Sequence, residues 1–265
     1  MRKSVITAFA ALATAAVFGA ITGSITTENG DVQKGTLRWS TRDKAYAVTT
    51  KGGIEIQIKP ADVAEMVVDK PAGYDEAVAQ VNKGQGAAAV PVLQKIVKEY
   101  AHLDWDKAAG RYLAEALISS GDLNKGLGAC EDIIKTDADA AFTGDLAPAY
   151  WEALLKLGRR PKLEALLQKA AKSGDRFSAG AALIKRGDIV LVDGKDSADA
   201  AKKALVDGYL RVVFMYTDAE IAPKLQPEAL YKAAKCFEKL GSSGRADAMR
   251  SKLKQQFADS PWAAK

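Results

Sequence analysis

PEALYKAAKCFEKLGSSGRADAMRSKLKQQFADSPWA, residues 227–263, decides the fold. Leu230, Ala233, Ala234 and Phe237 recur at intervals of three and four, which lays one apolar stripe along a helix. Gly241 follows that stripe with a polar Ser-Ser-Gly break. A second stripe then runs through Ala246 and Leu253 until Pro261 closes it. Gly just past a periodic run and Pro beyond the next one are stop signals, so the stretch predicts two helices joined by a tight turn. Alanine is abundant and aromatic residues make up only 7% of the chain, a composition suited to helices that approach closely through small side chains.

Working upstream, glycine punctuates the chain again at Gly84, Gly121, Gly158 and Gly187, each expected near the end of a helical run. The first two intervals (121 − 84 and 158 − 121) are both 37 residues, and a fixed period of this size signals a helical repeat. The first unit, from about Tyr74 to Tyr100, carries Ala77, Gly84, Ala89, Leu93 and Ile96. The second carries Leu113, Ala114, Leu117, Gly121, Cys130 and Ile133, with Gly126 where alanine is usual. The third has Tyr150, Trp151, Leu154, Gly158, Leu163, Leu167 and Ala170. The fourth starts near Phe177, with Leu183 and Gly187 and an enlarged turn at Val192–Asp196. Ser197 or Asp199 then caps a helix running to about Tyr216. Read this way, residues 72–265 resemble the tetratricopeptide repeat (TPR) family. In the last unit Leu230 takes the large position, Ala234 the small one, Phe237 the aromatic one, Gly241 the turn, Ala246 the second-helix alanine and Pro261 the close. Ala233 for Leu, Arg250 at the bulky position and Trp151 at a small one depart from the pattern. The resemblance implies an α-solenoid of about five helix-turn-helix repeats, because one helix pair cannot bury its apolar stripe alone.

Residues 25–70 change character. Asn29-Gly30 and Gly52-Gly53 are hairpin turn signals. Leu37 and Trp39, Tyr46 and Val48, and Ile54, Ile56 and Ile58 alternate with period two, and Val63–Val68 adds a last strand. Five short strands in this span predict a small closed β-barrel, whose order resembles SH3-like and Sm-like barrels. Trp39 either stacks a ligand or, as is commoner for tryptophan, packs in a core.

The first 24 residues read as a signal peptide or N-terminal anchor: Arg2 and Lys3, an apolar run from Val5 to Ala20, then small residues at spacings that suit cleavage, such as Thr22 and Ser24 or Thr14 and Ala16. The run is short for a membrane span, so membrane attachment is expected only if the segment stays uncleaved. No cysteine ends the run, which excludes a lipid anchor there. The chain of 265 residues carries a net charge of +5; without Arg2 and Lys3 the balance is 36 basic against 33 acidic, too even for a nucleic-acid interface. Cys130 and Cys236 sit among apolar residues and read as buried thiols. One histidine and no C-x-x-C argue against a metal, no cofactor motif is present, and no nucleophile elbow or phosphate loop marks an enzyme.

The expected function is that of an exported, periplasmic or secreted, non-enzymatic scaffold of a bacterial cell envelope, binding a partner protein or peptide; end-to-end stacking into a homo-oligomer is a further expectation. By the resemblance, first-helix residues line the concave face: Arg111, Glu115, Glu152, Lys156, Lys185, Tyr231 and Lys235. The family's carboxylate clamp is not expected, because Ala79, Glu115, Glu152, Ala181 and Lys235 stand at its positions. Plain solvated surface charge is the commoner reading of such residues. The alternative is a glycan- or peptidoglycan-binding protein or hydrolase using the β module or a carboxylate pair, Glu152 with Asp145 or Asp104 with Asp106. His102 beside Asp104 and Asp106, and the basic turn Arg159-Arg160-Pro161-Lys162, read first as structural features.

Overall fold

A computed structural model describes residues 20–265; most of the expected leader lies outside the described residues. The chain divides into two compact units, one ending at Asp69 and the other running from Lys70 to Lys265.

The first unit is a five-stranded antiparallel sheet of β1 (Thr22–Thr27), β2 (Val32–Ser40), β3 (Ala45–Thr49), β4 (Glu55–Ile58) and β5 (Val63–Val68), in the order β4-β3-β2-β1-β5. Both glycine turns lie where the sequence predicts them, and Gly30 and Gly53 hold φ of 86° and 76°. Ile25, Leu37, Val48 and Ile58 are buried, and Leu37 pairs with Val48 across the β2–β3 ladder. Trp39 is half-buried and meets its ladder partner Tyr46 edge to face, with ring centroids 5.0 Å apart.

Two expectations need correction here. The sheet is open and not closed into a barrel. Closure would need a ladder between β4 and β5. Instead the chain leaves β4 through Pro60, which has no N–H to give, makes a 3₁₀ turn at Pro60–Asp62 and lays β5 on β1. The strand run ending at Ile58 begins at Glu55, not Ile54, which stands exposed in the preceding turn. Strand β1 takes in Thr22–Ser24, the last residues of the span read as leader or anchor. Gly23 and Gly35, unremarked in the sequence, face each other in the β1–β2 ladder. A Cβ would lie 2.3 Å from the Val67 carbonyl oxygen at Gly23 and 2.0 Å from that of Thr49 at Gly35, so only glycine lets the flanking strands approach.

Helices account for 61% of the structure, so the chain is mainly α. The second unit contains α1 (Tyr74–Asn82), α2 (Gly86–Glu99), α3 (Trp105–Ser119), α4 (Leu123–Ile134), α5 (Leu146–Lys156), α6 (Arg160–Lys172), α7 (Arg176–Asp193), α8 (Ala198–Ala204), α9 (Leu210–Met215), α10 (Ala222–Lys239) and α11 (Ser243–Gln256). A π-helical turn, Leu205–Tyr209, joins α8 to α9 without a break. From α1 to α8 each helix packs on the next, as α10 does on α11, and the odd-numbered helices α1, α3, α5 and α7 followed by α10 also pack in series. Gly84, Gly121, Gly158 and Gly241 end helices with φ of 75°, 92°, 68° and 66°.

Gly187 is the exception to the turn reading. It lies inside α7, where a Cβ would meet the Tyr209 ring at 2.6 Å. The glycine serves close helix packing, and the fourth turn falls at Gly194–Asp196 instead. There Lys195 and Asp196 hold φ of 48° and 55°, and the Ser197 hydroxyl caps α8 by accepting from the Ala200 amide. Trp151 is fully buried and donates its indole N–H to the Ala141 carbonyl at 3.0 Å. One apolar cluster extends from α3 to α11 around Trp151, Tyr150 and Tyr209; a smaller one joins α1, α2 and α3 through Ala77, Leu93, Ile96 and Leu113.

Candidate functional site

The serial packing of α3, α5, α7 and α10 leaves an open groove of about 860 Å³ along one side of the helical unit. Its apolar lining comes from Ala149 and Leu155 on α5, Phe177, Ala181 and Ile184 on α7, Leu225 on α10, and Trp262. Each wall is placed by local chemistry. Asp175 caps α7, its carboxylate accepting from the Ser178 amide at 3.0 Å. Buried Ser178 also accepts from the Gly144 amide at 3.0 Å, which ties the approach to α5 onto the start of α7 beside Phe177. Gln226, also buried, donates its side-chain amide to the Tyr216 and Val213 carbonyls at 2.8 and 3.3 Å and so anchors α10 to the end of α9. Trp262 packs against Tyr231, ring centroids 5.3 Å apart.

A chain of alternating charges links the three later walls. Glu152 on α5 pairs with Lys156, at 3.2 Å, and with Lys185 on α7. Lys185 reaches Asp188 at 3.1 Å, Asp188 reaches Lys232 on α10 at 2.7 Å, and Lys232 reaches Glu228 at 2.6 Å. The Tyr209 hydroxyl donates to Asp188 at 2.8 Å. Lys185 is only 6% exposed, so its charge depends on these partners. Burial alone would lower its pKa; the Asp188 and Glu152 carboxylates outweigh burial and hold the ammonium above its usual value. Burial would likewise raise Glu152, but Lys185 and Lys156 bring it down to about 2. Lys232 is raised against the pull of burial by Glu228 and Asp188. Such a chain positions helices: each member is neutralised by its neighbours, and removing one leaves the next uncompensated.

Four of the sequence-predicted residues, Glu115, Glu152, Lys156 and Lys185, line this groove. Arg111 stands at its α3 side, paired with Asp145 at 2.6 Å and Glu115 at 3.6 Å. Burial raises the Glu115 carboxyl, Arg111 opposes that and Asp145 adds to it. Tyr231 and Lys235 do not join the groove; they line a separate hollow with Arg250, Lys254 and Lys265. The groove side of α10 runs through Lys224, Leu225, Glu228 and Lys232; Lys235 continues that stripe one turn beyond the groove, where it lines a small hollow with Asp188 and Lys232. Asp188, Glu228, Lys232, Lys224, Phe177 and Trp262 were missed. The spacings Lys185–Asp188 and Glu228–Lys232, three and four residues apart on their helices, were the available signal.

The remaining candidates have structural roles. Asp106 accepts the His102 amide at 2.9 Å, and His102 and Asp104 hold φ of 67° and 66°, so this segment is a tight entry to α3. The basic turn is consumed by pairing: Arg160 meets Asp193, and Lys162 reaches Glu131 at 2.9 Å. Glu152 and Asp145 do not share a proton, since each faces its own cation. Cys130 and Cys236 are buried thiols that burial pushes up to about 12 and about 11. Among the described residues no cluster could hold a metal ion, and no helix is long and apolar enough to cross a membrane. Comparison with known proteins matches no family model, no curated protein and no solved structure.

Proposed function

We propose that this chain is a non-catalytic binding scaffold of the TPR-like solenoid kind, and that its α3–α5–α7–α10 groove holds a segment of a partner protein. The observation that carries the reading is the groove itself: an open apolar trough whose charged walls are braced from within. An internally neutralised salt chain provides a preorganised surface. It does not provide the poised acid or base that hydrolysis requires, because Glu152 at about 2 stays ionised far below neutral pH. The basic start and apolar run of the first residues support export to the cell envelope, as a periplasmic or secreted protein. The compact five-stranded sheet of the first unit supports a second, smaller interaction module.

The test compares capture from envelope extract by the wild-type chain and by Ala149→Trp, which fills the groove from a partly exposed position, with Lys203→Ala as a surface control. A partner retained by the wild type and the control but lost with Ala149→Trp is the expected result. A partner held equally by all three would remove the groove from the binding surface.

A further inference from the structure

Charge is distributed unevenly along the groove. In its middle, the ammonium groups of Lys156, Lys185 and Lys232 cancel the carboxylates of Glu152, Asp188 and Glu228. On the α3 side a single cation, Arg111, faces two carboxylates, Glu115 and Asp145, and leaves one negative charge in excess. On the α10 side Lys224 lies exposed, 5.5 Å from the centroid of the Phe177 ring, with no carboxylate within ion-pair distance among the described residues. The apolar lining, Phe177, Ile184 and Leu225 among it, belongs to the same trough as these two unbalanced ends.

We propose that the occupant is an extended peptide segment with an apolar centre and charges of opposite sign at its two ends. An acidic side chain meets Lys224 and a basic one meets the Glu115–Asp145 pair. Charges already cancelled inside the wall offer a ligand little, because pairing with one of them means giving up an existing partner. The two uncompensated ends offer complementarity without that loss. A small amphiphilic carboxylate would satisfy Lys224 alone and leave the acidic end unmatched, so the two-ended pattern points to a peptide. This inference rests on the reading of the groove as a binding site.

Selection of a randomised peptide display library on the full chain separates the two claims. The expected enrichment, relative to selection on Ala149→Trp, is for peptides with an acidic residue, an apolar stretch and a basic residue in one linear pattern. A selected peptide should bind Lys224→Glu roughly fivefold more weakly, the scale of one exposed ion pair, and should recover when its own acidic residue is changed to lysine. Enrichment of apolar peptides with no charge pattern, or of peptides charged with one sign only, overturns the polarity but keeps the groove. Absence of any enrichment over Ala149→Trp overturns both. Circular dichroism of Lys224→Glu guards against misfolding; the site is exposed, so the spectrum should match the wild type.

Discussion

Lys185 and Lys224 are both lysines on the groove, yet they have opposite roles. Lys185 is buried among carboxylates from α5 and α7, so Lys185→Ala removes the cation between Glu152 and Asp188 and leaves each with a single cationic partner, Lys156 and Lys232. The expected cost is about 3 kcal/mol of stability in urea unfolding. Lys224 carries no ion pair among the described residues, and Lys224→Ala should stay within about 0.5 kcal/mol of the wild type. Acid acts on the same chain through Glu152. Its carboxyl is held at about 2 against an ordinary 4.5, so its contribution is fully present above pH 4.5 and is lost as pH falls from there toward 2. After allowance for its partial exposure, that contribution is on the order of 2 kcal/mol. Glu115 has the opposite sign, since its raised carboxyl is relieved by protonation. Acid unfolding of Glu152→Gln should therefore be shallower than that of the wild type between pH 4.5 and 2. Glu115→Gln should act only above pH 4.5, where the folded Glu115 takes up its proton before the unfolded chain does: there the wild type gains stability on acidification and the variant should not.

At the scale of elements, α7 and the π turn cross where two glycines meet. A Cβ on Gly208 would lie 2.9 Å from the Leu183 carbonyl and 3.1 Å from the Gly187 Cα, and one on Gly187 would strike Tyr209. Gly208→Ala should cost about 1–3 kcal/mol, the usual range for overpacking, read as a lowered urea midpoint. This crossing also shows why part of the fold was legible in sequence and part was not. Gly84, Gly121, Gly158 and Gly241 end apolar stripes, and periodicity locates such ends. Gly187 likewise follows an apolar run in sequence, but its reason for being glycine is a ring from an element about twenty residues away. The strands were legible from alternation; whether the two edge strands, β4 and β5, bond and close the sheet is a long-range choice that alternation does not encode. The groove was half legible. Helix α5 and α7 residues were legible from helical spacing, whereas on α10 the expected pair Tyr231 and Lys235 lies three residues further along than the groove residues Glu228 and Lys232.

At the scale of the whole molecule, the two units set limits on how the chain can be processed and how it opens. Cleavage after Ser24 would remove Thr22–Ser24, half of β1, and with it ladder pairs to both β2 and β5. A chain beginning at Ile25 should show faster amide exchange in β2 and β5 than one beginning at Ala20, by hydrogen-exchange mass spectrometry; equal protection would count against the role given to the start of β1. Within the helical unit, the cluster around α1 and α2 is smaller than the one extending from α3 to α11. Amides of α1 and α2 should therefore exchange before those of α5, α7 and α10.

The salt chain from Glu152 to Glu228 has a thermal consequence. The hydration that ionic groups give up on burial becomes less favourable as temperature rises, so the penalty for keeping them inside shrinks. The gain per unit of apolar surface meanwhile levels off. Warming should therefore loosen the first helix pair, which is held mainly by apolar contact, before it loosens the braced walls of the groove. Over an interval of temperature, the walls of the groove would outlast the helices that precede them.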